Sequence, residues 1–163
     1  MLFRSTLWAW GRNNPYGQLG LGNITNYSSP KQVGALTNWS SVSCGAAHTA
    51  SIKTDGTLWA WGSNGYGELG LGNITNYSSP KQVGALTNWS SVSCGTAHTA
   101  SIKTDGTLWA WGRNQYGQLG LGNTTAYSSP KQVGALTNWL SVSCGGYYTA
   151  AIKTDGKIGR AHV

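Results

Sequence analysis

The segment TLWAWG begins at Thr6, Thr57 and Thr107, and KTDG ends at Gly56, Gly106 and Gly156. Thr6–Gly156 therefore divides into units of 51, 50 and 50 residues: 6–56, 57–106 and 107–156. The additional residue of the first unit falls at Asn14-Pro15, where the later units carry Gly65 or Gln115. From Tyr16–Gly45 to Tyr66–Gly95 the only change is Gln18 to Glu68. A fixed period of this length implies stacked units, each unable to bury its apolar face without a neighbour.

Each unit reads as four short strands. Trp39–Cys44 (WSSVSC) and Thr49–Lys53 (TASIK) are rich in β-formers and bounded by Gly or Asp. Leu58–Trp61 (LWAW) follows a Thr54-Asp55-Gly56 reversal, where Gly supplies the backbone freedom that a tight turn needs. The fourth strand is weaker. It is placed around Pro30–Val33 and its equivalent 80–83, and Pro, which cannot donate to a ladder, suits an edge. The low charge and abundant aromatics argue against disorder, and no apolar run approaches the roughly 18 residues of a membrane helix. The expected class is all-β, three four-stranded blades forming an open arc.

The combined pattern G-x-N-x-Y-G-[QE]-L-G-L-G, then V-S-C-G-x-x-[HY]-T-x-x-I-K-T-D-G, with L-W-A-W-G after the first two KTDG turns, resembles the regulator of chromosome condensation repeat. The resemblance covers Thr6–Gly156. The Trp-Asp dipeptide of WD repeats is absent, and the paired Gly of kelch repeats occurs only at Gly145-Gly146. The resemblance implies a β-propeller, usually of about seven blades, of which this chain holds three repeat units. It also implies a family whose members include guanine-nucleotide exchange factors and enzyme inhibitors.

The two ends depart from the repeat. Met1–Ser5 (MLFRS) and Lys157–Val163 (KIGRAHV) match no part of it. The codons GTG CTC TTC CGA TCT encode the first segment, with GTG as a start. Their reverse complement, AGATCGGAAGAGCAC, looks like the start of a common sequencing-library adapter. In frame after one A, the first base of any Thr codon, that adapter reads AAG ATC GGA AGA GCA CAC GTC TGA, which encodes the second segment and a stop. One sequencing adapter accounts for both, so residues 1–5 and 157–163 are expected to be scars outside the fold. Without Arg4, Lys157 and Arg160 the 11 basic residues become 8 against 4 acidic ones, and the net charge falls from +7 to +4. What remains is spread over the units rather than gathered into a stripe, which argues against a nucleic-acid partner.

The repeats hold little material for catalysis. Cys44, Cys94 and Cys144 occupy one strand end in each unit, too far apart between blades to bridge, and are expected to be small buried residues. Cys44-x-x-x-His48 and Cys94-x-x-x-His98 supply two ligands each, and Tyr148 replaces the third His. A structural zinc site wants four ligands. The His is expected to hydrogen-bond within its own turn. Gly17–Gly22 has the wrong order for a dinucleotide loop and no following helix. The carboxylates are Glu68 and the turn residues Asp55, Asp105 and Asp155, which read as turn formers. The reading is a non-enzyme with no metal and no cofactor. Asn-x-Ser/Thr triplets, such as those at Asn23 and Asn38, follow from a composition rich in those residues.

With antiparallel strands a to d, loops a–b and c–d emerge on one face and loops b–c and d–a on the other. Most differences between units fall in the first set: Arg12/Ser63/Arg113, Asn14-Pro15/Gly65/Gln115, Gln18/Glu68/Gln118, Ala46-Ala47/Thr96-Ala97/Gly146-Tyr147 and His48/His98/Tyr148. The KTDG and GALTN loops do not change. Loops carry function, so the partner surface is placed at Arg12, Asn14, Ser63, Glu68, Thr96, Arg113, Gln115, Tyr147 and Tyr148. The preferred function is a non-catalytic scaffold that binds a protein on this face. Carbohydrate or cell-surface binding by exposed Trp is the alternative, and exchange-factor activity a weaker one, since no inserted loop breaks the repeats. A row of exposed Trp rings favours sugars, and rings between blades favour the scaffold. Open blade edges would also allow self-association.

Overall fold

A computed structural model of the chain describes residues 4–155. They form twelve strands and no helix. In chain order these are β1 (Trp8–Gly11), β2 (Tyr27–Gln32), β3 (Trp39–Cys44), β4 (His48–Lys53), β5 (Leu58–Gly62) and β6 (Tyr77–Gln82). Then follow β7 (Trp89–Cys94), β8 (His98–Lys103), β9 (Leu108–Gly112), β10 (Tyr127–Gln132), β11 (Trp139–Cys144) and β12 (Thr149–Lys153).

All pairings between these strands are antiparallel. Strands β3-β4-β5-β6 make one four-stranded sheet and β7-β8-β9-β10 the next. The remaining pairs are β1-β2, the outer half of a blade, and β11-β12, an inner half. Three units of strands are present, as expected, but each sequence unit straddles two sheets. It opens on the third strand of one blade and closes on the second strand of the next. Among the described residues, β1 and β12 are therefore paired on one side only.

The fourth strand lies upstream of its expected place, at Tyr77–Gln82 rather than 80–83. Gly62 pairs with Tyr77, and the register shifts between Ala60 and Gly62, so the strand absorbs Pro80 on the sheet edge. Val83 lies just beyond the strand, yet its N–H still donates to the Leu58 carbonyl (2.8 Å) and its side chain is buried.

The b–c turn forms as its sequence dictates. The Asp55 carboxylate accepts from the Thr57 N–H (3.0 Å) and hydroxyl (2.6 Å). Ser5 takes the backbone place that Gly56 holds further on: its carbonyl accepts from Trp39 N–H, as the Gly56 carbonyl accepts from Trp89 N–H. Of the two segments expected to be foreign, residues 1–3 and 157–163 lie outside the described residues.

The core sits between blades. Ala50, Leu58 and Leu69 of the first full blade pack with Trp89, Cys94 and Trp111 of the next. Trp111 is fully buried, and its indole N–H donates to the Glu68 carbonyl (3.0 Å). Trp61 does the same to the Gln18 carbonyl. Gly70, at φ +74°, lies under Trp111, and a Cβ there would stand 2.7 Å from the indole nitrogen. That close approach explains the Gly in each L-G-L-G segment that meets a Trp. Strands β7 and β11 abut the preceding inner strands: the Cys94 N–H donates to the Ser43 hydroxyl (3.0 Å) and the Cys144 N–H to that of Ser93 (2.9 Å). Cys94 is buried as expected, and its thiol is pushed up to about 12 by desolvation. Cys44 is exposed.

Candidate partner face

The long c–d loops are held from within by a buried asparagine. Asn64 is wholly inaccessible; its amide donates to the Asn73 and Thr75 carbonyls (2.9 Å each), and its oxygen accepts from Leu69 N–H (2.9 Å). Asn13 and Asn114 repeat the arrangement on their own loops. A backbone otherwise short of partners is thereby satisfied without regular structure. The c–d loop joins the a–b loop of its own blade, through Ser63 N–H to the Ala47 carbonyl (2.8 Å) and Arg113 N–H to that of Ala97 (2.9 Å). Neighbouring a–b loops meet where Thr96 N–H donates to the Gly146 carbonyl (3.1 Å). Both loop sets thus form one face, as the strand directions require. The KTDG turns meet the d–a loops on the other face, through Trp89 N–H to Gly56 and Thr104 N–H to Asn88.

Of the expected contact residues, Arg12, Asn14, Gln115, Tyr147 and Tyr148 are exposed, and Ser63, Thr96 and Arg113 are half-buried. Glu68 is different. It is 2% exposed, and its carboxylate accepts from the Ser63 hydroxyl (3.0 Å) and the Tyr66 N–H (2.7 Å). It braces its own loop from inside and offers a partner nothing. Glu68→Ala is expected to lower stability by about 1.5–3 kcal/mol, the scale of hydrogen bonds to a charged group. Glu68→Gln should recover part of it, because Gln118 accepts from Tyr116 N–H (2.9 Å) in the same place. Urea denaturation of both variants checks this; equal losses would remove the bracing role.

The structure gathers Arg113, Gln115 and Tyr147. The guanidinium carbon of Arg113 lies 4.8 Å from the centre of the Tyr66 ring and 5.5 Å from that of Tyr147. Its Nε and Nη2 donate to the Gln115 side-chain oxygen at 3.0 and 2.6 Å. Tyr116 stands edge-on to Tyr147, ring centres 5.6 Å apart. Tyr66, Tyr116 and Tyr147 are all well exposed. Comparing the units missed Tyr66 and Tyr116 because they belong to the constant G-x-N-x-Y-G segment. The signal for them was an exposed aromatic in a loop beside a variable Arg.

The His residues bond within their own turns through the backbone alone, Gly45 N–H to the His48 carbonyl and Gly95 N–H to that of His98 (2.8 Å each), while their side chains reach the next blade. His48 Nε2 lies 2.9 Å from the Thr99 hydroxyl of the next blade, and His98 Nε2 lies 3.0 Å from that of Thr149. Burial lowers the pKa of both, His48 to about 3. These are joints between blades. Among the described residues, no three His, Cys, Asp or Glu gather where a metal could be held.

Seven of the nine Trp rings are buried or half-buried between or within blades. Trp61, Trp111, Trp39 and Trp89 are buried. The half-buried Trp59 and Trp109 present a ring to a lysine, with Lys53 and Lys103 Nζ each 3.7 Å from the ring centre. Trp8 and Trp10, on β1, are exposed.

Four-stranded antiparallel sheets packed on one another, with inner strands abutting, define blades of a β-propeller. The regulator of chromosome condensation (RCC1) repeat model matches residues 5–52, 55–102 and 105–152. The chain belongs to that repeat family. Among curated proteins it is similar to the Protein RCC2 homolog of Xenopus laevis, 38% identical over 60 residues, which are 36% of this chain and 12% of that protein. It is also similar to the RCC1 domain-containing protein RUG3, mitochondrial, of Arabidopsis thaliana, 42% identical over 65 residues, or 36% of this chain and 15% of the relative. The matched stretch thus spans under a sixth of either relative. The fold is that of human WBSCR16 (TM-score 0.81, 23% identity) and of Prp20p from Saccharomyces cerevisiae (TM-score 0.81, 21% identity). Each comparison covers 93% of this chain, and 41% and 40% of those chains. Prp20p was described with its binding to Gsp1p and histones, and yeast RCC1 (Prp20) in a complex with Kap60.

Proposed function

We propose that the chain is part of a non-catalytic interaction scaffold that binds a protein partner through its a–b and c–d loops. One observation carries the reading: on loops braced by buried Asn64 and Asn114, Arg113 stands between exposed Tyr66 and Tyr147. Interface centres are enriched in Tyr and Arg, and contacts on a rigid frame lose little entropy on binding. The protein-binding behaviour described for Prp20p is in keeping with this use of the fold. Sugar binding has less support, because lysines occupy the Trp59 and Trp109 rings and the other central Trp are buried.

The test compares two faces. Proteins retained by the immobilised wild-type chain are quantified by mass spectrometry against an Arg113→Ala/Gln115→Ala/Tyr147→Ala variant and an Asp55→Asn/Asp105→Asn variant. The first should lose at least about tenfold of its specific captures, as expected when a hot-spot centre is truncated. The second should keep them. Equal effects of the two variants would sink the proposal.

A further inference from the structure

We propose that Arg113 is an acid-reading centre, which takes a carboxylate side chain of a protein partner between the Tyr66 and Tyr147 rings. This rests on the loop face being the partner surface and names the chemistry read there.

Three consecutive blades build the spot. Tyr66 comes from the c–d loop after β5, Arg113, Gln115 and Tyr116 from that after β9, and Tyr147 from the a–b loop between β11 and β12. Both rings lie within cation–π range of the half-buried guanidinium and cover part of it, which favours a charge pair there over one on a fully solvated arginine. The guanidinium donates to a single neutral oxygen, that of Gln115, shared by Nε and Nη2. A planar guanidinium has five donors in a fork that matches a carboxylate.

Of the acidic residues, Glu68 comes beside Arg113, its Cα packed on Gly112, but its carboxylate is committed to Ser63 and Tyr66. Asp55, Asp105 and Asp155 belong to the b–c turns of the opposite face. Glu68 is the one acidic residue in these loops, and it is buried in the blade that carries Ser63 in place of Arg. The blade that carries Arg113 has Gln118 instead, and this neutral side chain makes the same bond to the loop N–H that Glu68 makes. The Arg113 loop thus keeps its geometry without a carboxylate of its own. Arg12 provides the contrast. Its loop likewise carries a Gln, Gln18, at the position of Gln118, but its Nε donates to the Asn14 carbonyl (3.1 Å), and the residue in the place of Tyr147 is Ala47. The walls, not the charge alone, distinguish Arg113.

The probe is a random peptide library displayed on phage and selected on the immobilised 163-residue chain. Peptides recovered on wild type should be enriched in Asp and Glu over the input library. Individual peptides should weaken about 10- to 100-fold on Arg113→Gln, the range of a charge-assisted hydrogen-bonded pair. Arg113→Lys, which keeps the charge without the fork, should recover part of the binding. Lys31→Gln, an equal loss of charge on strand β2, should leave it within about twofold. The proposal is overturned if no acidic excess is recovered on wild type, or if Arg113→Gln binds as well as wild type. The two failures are separable. Peptides lost on Tyr116→Ala but not on Arg113→Gln would keep the face and reject acid reading. Peptides lost on Asp105→Asn but on neither loop variant would reject the face itself.

Discussion

Trp111→Ala should cost about 3–5 kcal/mol of unfolding stability, the range for truncating a buried aromatic. The ring is inaccessible and packs in the cluster that joins two blades. Its loss also removes the donor to the Glu68 carbonyl. That carbonyl would keep only the Thr99 hydroxyl, at 2.7 Å. Against a domain stability of roughly 5–15 kcal/mol this is a large share. The chain supplies its own control. Trp10 holds the same place in the repeat but is 58% exposed on β1, so Trp10→Ala should cost under about 1 kcal/mol. Urea unfolding followed by far-ultraviolet circular dichroism compares the two without relying on Trp fluorescence. Similar costs would mean that burial between blades is not what makes this position matter.

The same pair explains how much could be read from sequence. The period, the strand types and the two loop faces were legible because they depend on local turn chemistry and alternation. LWAWG and KTDG carry those signals in every unit. What the sequence concealed was which side of a unit is covered. Trp10 and Trp111 are indistinguishable by local pattern, and only the sheet partition separates them. The fourth strand was misplaced because Tyr77-Ser78-Ser79 has no apolar alternation to announce it; pairing of Tyr77 with Gly62 recruits it. Glu68 looked like a variable surface acid, and its two bonds within the loop were hidden by the equal fit of Gln at that place. The local pattern points the histidine to its own turn, where its carbonyl does bond, but its side-chain partner lies 51 positions away, on the next blade. Tyr66 was missed for the opposite reason. A constant residue gives no contrast between units, although the structure sets it against a variable one.

That histidine joint predicts a strong loss of stability in acid. Thr99 spends its one hydroxyl proton on the Glu68 carbonyl (2.7 Å), so the bond at 2.9 Å must be donated by His48 Nε2. His48 Nδ1 is then the unprotonated nitrogen, and it is buried with no hydrogen-bond partner. A second proton would have to sit there, in a desolvated place and near His98, which is why the pKa falls from 6.5 to about 3. The unfolded chain binds this proton below pH 6.5, whereas the folded chain does not until about pH 3. Stability is therefore complete above about pH 6.5 and is lost as the pH falls through this window, by roughly 4–5 kcal/mol for His48 at the acid end. His98 adds to the loss in the same direction, since burial lowers its pKa as well. Asp55 and Asp105, lowered by bonds from the Thr57 and Thr107 hydroxyls, contribute only as the pH drops below the ordinary carboxylate value of 3.8. His48→Gln can still donate to Thr99 but cannot titrate. Urea midpoints measured from pH 7 to pH 4 should fall steeply for wild type and distinctly less for His48→Gln/His98→Gln. Parallel slopes for the two proteins would place the acid sensitivity elsewhere than in the joints between blades.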